Sequence, residues 1–233
     1  MYDDITVILP TLNEARSLPI LAGYLLRKYP GIRVIVVDDG SSDGTRRKAM
    51  AMAKRNKSLR FYDRKRYGLE KGLTNSIIYG ISKSRTRFVI AMDADLQHPP
   101  ELIPKIVDSL RSGCEIAVAC RSTVVGWELY RKIVSKILIS IGYAVLIMRG
   151  SARCDDIFSG FFGTKRSLFI KEQRLRGAAF IGPGYKVLFD LLKQLPAGSV
   201  KTCSIPYVFH GRKYGKSKAG ATQAFFLLKS FLS

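Results

Sequence analysis

The chain has 233 residues, enough to bury a full hydrophobic core, with 39 Lys and Arg against 18 Asp and Glu and a formal charge of +21. That balance points to anionic partners (phosphorylated substrates, an anionic membrane face or nucleic acid), but the basic residues are dispersed and carry no nucleic-acid-binding signature, so no nucleic acid is expected as a partner. No run reaches the roughly 18 apolar residues that a transmembrane helix needs, and the amino terminus lacks the basic start and apolar run of a signal peptide.

Ile5–Leu9 is a β-branched run closed by Pro10 and reads as a buried strand. A helix from Asn13 or Glu14 to about Tyr29 follows, with Leu18, Leu21, Leu25 and Leu26 on its apolar face. Arg33–Val37 is a second buried strand. It runs into Asp38-Asp39-Gly40-Ser41-Ser42-Asp43-Gly44-Thr45, a tight strand-to-helix turn in which Ser42 or Asp43 can cap the next helix. Leu59–Tyr62 is a third strand, followed by a helix over about 70–83 and a strand over 87–92.

That strand leads into Asp93-Ala94-Asp95-Leu96-Gln97. In extended chain, side chains two apart share a side, so Asp93, Asp95 and the neutral oxygen of Gln97 can converge on a hard divalent cation, Mg²⁺ or Mn²⁺. The competing reading is a solvated acidic turn. Pro99-Pro100 stop the extended segment and Glu101 opens a helix to about Arg111, and a strand follows at 115–119.

Strands alternating with helices through short connections predict an α/β, Rossmann-like, mostly parallel central sheet flanked by helices. Ligands bind such sheets beyond the carboxyl ends of the strands, where three polar loops fall: 11–14, 38–45 and 93–97. No strand-linked GxGxxG or Walker P-loop occurs, which weakens dinucleotide-oxidoreductase and P-loop readings.

Past Cys120 the pattern changes. Residues 127–149 read as one long helix, basic first and apolar later, and 155–163 as a loop entering a strand. A helix follows around 184–194, then a strand over 200–209 whose Pro206 marks it as an edge. Residues 210–218 form a glycine-hinged basic loop, and 219–233 an apolar-rich segment. The segments 137–148 and 219–233 read either as core helices or as amphipathic interfacial ones. Cys114, Cys120, Cys154 and Cys203 form no CxxC pair and are expected as reduced, buried thiols, which favours a cytosolic face.

In order, Pro10-Thr-Leu-Asn-Glu14, Val37–Thr45, Lys71-Gly72-Leu73, Met92–Glu101, Trp127 with Arg131 and Ser135, Ser159-Gly160-Phe161, and Arg212, Gly215, Ser217 and Lys218 resemble family 2 glycosyltransferases of the GT-A fold, and within them the polyprenyl-phosphate sugar transferases. The resemblance covers nearly the whole chain. It departs from the family at Asp190, where glutamate is expected, at Cys203-Ser204, and in a slightly long segment between Arg64 and Lys71. The QxxRW motif of processive members is absent.

The resemblance implies one GT-A domain, with 1–120 mainly on the donor side, 121–218 mainly on the acceptor side and 219–233 a terminal helix. Pro10, Thr11, Glu14, Val37, Asp39, Lys71, Ala94, Arg212 and Lys218 would bind the nucleotide sugar together with Asp93 and Asp95. Asp93, Asp95 and Gln97 would hold Mn²⁺ or Mg²⁺. Arg121, Arg131, Ser135 and Arg212, with Asp95, would serve catalysis by placing a lipid monophosphate. The implied reaction is inverting transfer of mannose from GDP-mannose to dolichyl or polyprenyl phosphate at the cytosolic face of a membrane. His98 favours mannose by resemblance only. UDP-glucose as donor is the alternative, and a non-catalytic basic membrane- or nucleic-acid-binding module the remote one.

Overall fold

A computed structural model of the chain describes residues 1–126, 128–184, 186–209 and 221–232; the side chains at 67, 129, 131, 132, 178 and 221–225 also lie outside the described set. Seven strands join one sheet: β1 (Ile5–Thr11), β2 (Arg33–Asp38), β3 (Leu59–Asp63), β4 (Phe88–Ala91), β5 (Ile116–Val124), β6 (Phe162–Lys165) and β7 (Thr202–Phe209). Their order across the sheet is β3-β2-β1-β4-β6-β5-β7. All neighbours are parallel except β6, which runs antiparallel to β4 and β5.

The β-branched runs read as strands are the central ones, buried on both faces as parallel strands require. β1 continues through Pro10 and Thr11, which pair with Val37 and Asp38 of β2. Its pairing with β4 stops at Ile8, so the missing N–H of Pro10 interrupts no ladder on that side. β7 is the outermost strand, where Pro206 is tolerated.

The helices are α1 (Ser17–Lys28), α2 (Thr45–Arg55), α3 (Leu73–Lys83), α4 (Ile103–Arg111), α5 (Leu129–Met148), α6 (Arg166–Leu175), α7 (Val187–Gln194) and α8 (Ala221–Leu232). Two apolar layers sandwich the sheet, one holding Leu18, Leu21 and Leu25 of α1 with Ile106 and Leu110 of α4, the other Ile77 and Ile81 of α3 with Leu188 and Leu192 of α7. α3 begins three residues later than its apolar pattern predicts. Gly72 enters it at φ 149°, and a side chain there would meet the Gly182 carbonyl at 2.1 Å, so the chain passes this point only as glycine. α6 was not foreseen.

The cysteine expectation is corrected. Cys114, just before β5, and Cys203, in the neighbouring β7, are joined by a disulfide with Cα atoms 6.1 Å apart, while Cys120 and Cys154 are free and buried. Parallel pairing of strands 89 residues apart in sequence brings the two together, which spacing could not reveal.

Asp190 of α7 is buried near Lys186 and ties three elements together: it accepts from the Ile181 N–H at 3.1 Å, pairs with Lys193 at 3.3 Å, and takes the Ser230 hydroxyl of α8.

Candidate active site

β2, β1 and β4 lie side by side in parallel, so the three polar loops emerge together at one end of the sheet, where the strand order reverses between β1 and β4. The first two loops are tied to each other. The Thr11 hydroxyl donates to Asp38 Oδ1 at 2.9 Å and the Asp39 N–H donates to the Thr11 carbonyl at 3.0 Å. Asn13, at φ 56°, accepts from the Ser42 N–H at 2.8 Å, and the Glu14 N–H donates to the Thr45 hydroxyl at 2.8 Å. Asp38, buried, takes the N–H groups of Gly40 and Ser41 and so shapes the turn. Neither Ser42 nor Asp43 is the cap of α2, which is entered through Gly44 at φ 93°; Asp43 instead braces the turn, accepting from the Thr45 N–H at 3.0 Å and the Ala15 N–H at 2.9 Å. Burial opposes its charge, but these donors outweigh burial and hold the Asp43 carboxyl below its usual range.

Of the donor-side residues, Pro10, Val37 and Ala94 are buried, and the Val37 side chain is part of the core. Only the backbone of Val37 faces the loop region, its carbonyl accepting from Thr11 at 3.5 Å. Lys71 is exposed. The Glu14 carboxylate accepts from the Ser17 hydroxyl at 2.7 Å. Asp39 is almost fully buried: one oxygen takes Arg64 at 2.6 Å, the other the Gly72 N–H at 2.7 Å. Burial raises its pKa against the pull of Gly72 and Arg64. A nucleoside contact at Asp39 would share these oxygens. Arg64 was not singled out in the sequence; it also donates to Ser76 at 3.0 Å and to the Glu70 carbonyl, locking the 64–72 segment over Asp39.

The acidic corner departs from simple strand alternation. β4 ends at Ala91, and residues 94–96 bend, with Leu96 at φ 66°. The Asp93 side chain is 34% exposed whereas Asp95 is buried, with Oδ1 accepting from the Gln97 N–H at 3.1 Å. The bend, rather than a two-residue repeat, sets their unequal exposure. The Asp93 N–H donates to His98 Nδ1 at 3.2 Å, which leaves the proton on Nε2, 4.0 Å from Asp93 Oδ2. His98 stacks on Phe161 at 5.2 Å. Gly160 lies so close that a side chain there would meet Asp93 Oδ2 at 3.2 Å.

These oxygen donors fit a hard divalent cation. Among the described residues no cluster of three or more His, Cys, Asp or Glu could hold a metal ion.

Beyond this corner lies a second group. Arg121, in β5, grips Asp156 through Nε at 2.7 Å and Nη2 at 2.8 Å, and the Arg121 N–H adds a third bond at 3.2 Å. Burial works against the charge of Asp156, but Arg121 outweighs it and holds the carboxyl below its usual range. Lys186, just ahead of α7, donates to the Phe158 carbonyl at 3.2 Å and sits 5.1 Å from that ring's centre. Burial, then the neighbouring Arg121, push its ammonium down to about 7, against the attraction of Asp156 and Asp93. Tyr207 of β7 is pushed upward by burial and feels the charges of Arg121, Asp156 and Asp93.

Ser135 lies on α5 with its side chain partly buried, four residues beyond Arg131, whose side chain is outside the described set. Arg212 and Lys218 lie outside the described residues altogether. Asp156, Lys186 and Tyr207 escaped the sequence reading. The only hint was Asp155-Asp156 heading the loop toward Ser159-Gly160-Phe161.

In comparisons with known proteins, the chain is 32% identical over 222 residues to a dolichol-phosphate mannosyltransferase of Pyrococcus furiosus, covering 92% of this chain and 58% of that protein's length. It is 27% identical to the Saccharomyces cerevisiae dolichol-phosphate mannosyltransferase (94% of this chain, 82% of that one) and 27% identical to a polyprenol monophosphomannose synthase of Mycolicibacterium smegmatis (91% and 79%). Among solved structures, glucosyl-3-phosphoglycerate synthase of Mycobacterium tuberculosis, crystallised with Mn²⁺, UDP-glucose and phosphoglyceric acid, superposes with a TM-score of 0.65 at 19% identity, over 97% of this chain and 79% of that one. Mannosyl-3-phosphoglycerate synthase of Rubrobacter xylanophilus gives 0.65 at 16% identity, over 98% and 72%. At such identities the likeness shows the fold, and it is the GT-A arrangement expected from the sequence. The family model for glycosyl transferase family 2 matches residues 6–172, more than half of the chain, and the chain belongs to that family.

Proposed function

We propose that this chain transfers mannose, with inversion, from GDP-mannose to a dolichyl or other polyprenyl phosphate, using a divalent metal at the surface of a membrane. The observation that carries the reading is the juxtaposition, at one end of the sheet, of the Asp93–Asp95 corner with the Arg121–Asp156–Lys186 group. The relatives named for transfer to dolichol phosphate and polyprenol phosphate support the acceptor class.

The division of labour follows from position. Residues 1–120 supply the donor side: the knitted loops at Thr11–Glu14 and Asp38–Thr45 form its floor, and Asp93, Asp95 and Gln97 are the residues that would hold Mn²⁺ or Mg²⁺. The bound metal would offset negative charge on the departing nucleoside diphosphate. Residues 121–218 supply the acceptor side. A lipid monophosphate is already anionic at neutral pH, so its attack on the anomeric carbon needs no strong protein base. The protein's task is to bring one anion to another, which fixed cations accomplish. Arg121 is preorganised by Asp156, and Arg131, Ser135 and Arg212 are proposed to join it on the phosphate, with Lys218 on the donor.

Membrane contact is proposed through α5. Tyr130, Ile133, Val134, Ile137 and Ile141 are all 41% or more exposed and fall at helical positions i, i+3, i+4, i+7 and i+11, a solvent-facing apolar row. Among the described residues no helix is long and apolar enough to cross a membrane. The cytosolic face also stays a proposal. The Cys114–Cys203 disulfide removes the thiol argument for it, since reducing compartments rarely keep such bonds outside hyperthermophiles.

Incubating the purified protein with Mn²⁺, a polyprenyl phosphate and either GDP-mannose or UDP-glucose tests the reading. Lipid-linked mannose from GDP-mannose is the expected product. Product from UDP-glucose alone would overturn the donor assignment, and no product with either would leave a binding module.

A further inference from the structure

Tyr207 presents a puzzle that the proposed reaction does not yet use. Its side chain is 7% exposed, and its hydroxyl has no hydrogen-bond partner among the described residues. A buried hydroxyl left without a partner is costly, so native proteins rarely keep one without a reason. Its surroundings are charged: Arg121, Asp156 and Asp93 all act on it. Its ring meets that of His98 edge-on at 6.5 Å, which fixes it beside the acidic corner.

Lys186 faces the same three charged groups from another element. It approaches from the N-terminal end of α7 and is held by the carbonyl of Phe158, in the loop that also carries Asp156 and Gly160. Two groups, one on β7 and one on the residue ahead of α7, thus feel the same three charges, Asp93, Asp156 and Arg121. Asp156 cancels the charge of Arg121 through a two-pronged ion pair, and Asp93 and Asp95 are reserved for the metal. An anionic oxygen entering beside them would gain from a cation and a hydroxyl donor in addition to Arg131, Arg212 and Ser135.

We propose that Lys186 and Tyr207 form an anion subsite that grips the phosphate of the lipid acceptor and holds it facing the donor's anomeric carbon. This rests on the function proposed above and adds two contact residues to it. Lys186 supplies a point charge held in place by the Phe158 carbonyl. Tyr207 supplies a fixed donor whose position is set by His98 and by the sheet. Both act on the acceptor, not on the nucleotide.

The test uses Y207F, K186M and K186R in the full chain. Calorimetry measures farnesyl phosphate binding in the presence of GDP and Mn²⁺, and separately GDP–Mn²⁺ binding alone. Y207F and K186M are expected to weaken farnesyl phosphate by about tenfold to a hundredfold, the scale of a hydrogen bond to a charged group. K186R is expected to restore part of the loss, and GDP–Mn²⁺ affinity to stay within about twofold of wild type. In turnover the acceptor KM rises in the same variants while the donor KM does not. Y207F removes a hydroxyl with no described partner, so its thermal midpoint should not fall, a readout that a structural role would move. Wild-type farnesyl phosphate binding with unchanged affinity in Y207F and K186M would overturn the inference alone. Losses in GDP–Mn²⁺ binding instead would place the pair on the donor and overturn it as well. Absence of any prenyl phosphate binding by the wild type would overturn the functional reading and the subsite together.

Discussion

Asp156→Asn probes the ion pair at the centre of the proposed acceptor side. Asp156 and Arg121 are joined by two side-chain hydrogen bonds of 2.7 and 2.8 Å, with side chains 7% and 16% exposed. The substitution keeps the shape of Asp156 and leaves the guanidinium of Arg121 without its counter-charge. Breaking a buried pair in this way costs roughly 3–5 kcal/mol, and the slight exposure of Arg121 places the expectation near the lower end, about 3 kcal/mol. For a chain of this size that is a fall of about 6–12 °C in Tm. Replacing both partners by apolar residues, R121M/D156L, should recover most of the loss, because no charge is then buried alone. The pH dependence has a definite sign. The folded carboxyl lies below its usual range, so the stabilisation is present above the unfolded value of about 3.9 and is lost as pH falls through the folded value. The gap between wild type and D156N should hold from pH 7 to 5 and close in stronger acid. Urea unfolding at pH 7, 5 and 3.5 measures it. Equal stabilities at pH 7, or a gap that does not narrow in acid, would refute the reasoning.

Three further outcomes are expected. D95N should weaken Mn²⁺-dependent GDP binding by at least about tenfold while leaving the small metal-free binding intact; calorimetry with and without EDTA reads this, and equal affinities would remove Asp95 from the metal site. C114S/C203S closes no loop between residues 89 apart and should lose about 2–4 kcal/mol in urea unfolding, with dithiothreitol producing the same loss in wild type but none in the variant. Ile137→Glu alters a side chain already 53% exposed, so stability should hardly change, while partition onto anionic lipid vesicles should fall about fivefold or more as apolar contact is lost. Unchanged vesicle binding would remove α5 from the membrane contact.

The sequence by itself determined the sheet's core and which polar loops meet at one end of it. Runs such as Ile5–Leu9 and Arg33–Val37 read as buried strands because they are short, rich in β-branched residues and bounded by turn signals, and polar loops at their carboxyl ends fall where open α/β sheets bind ligands. The Asp93–Gln97 motif and the ordered set of short motifs were legible because each is local: a few adjacent residues carry the chemistry. Tertiary structure alone decided what adjacency in sequence does not encode. The bend at 94–96, with Leu96 at φ 66°, and not strand alternation, left Asp93 partly exposed and Asp95 buried. Pairing of β5 with β7 brought Cys114 to Cys203. The 64–72 segment folded Arg64 onto Asp39, and the 155–161 loop carried Asp156 to Arg121, 35 residues away in the chain. Lys186 and Tyr207 reach the same charged corner from different elements, and each alone reads as an ordinary helix-start lysine and an ordinary strand tyrosine. Charge and burial act through space, so their partners become visible only once the sheet has fixed which strand ends are neighbours.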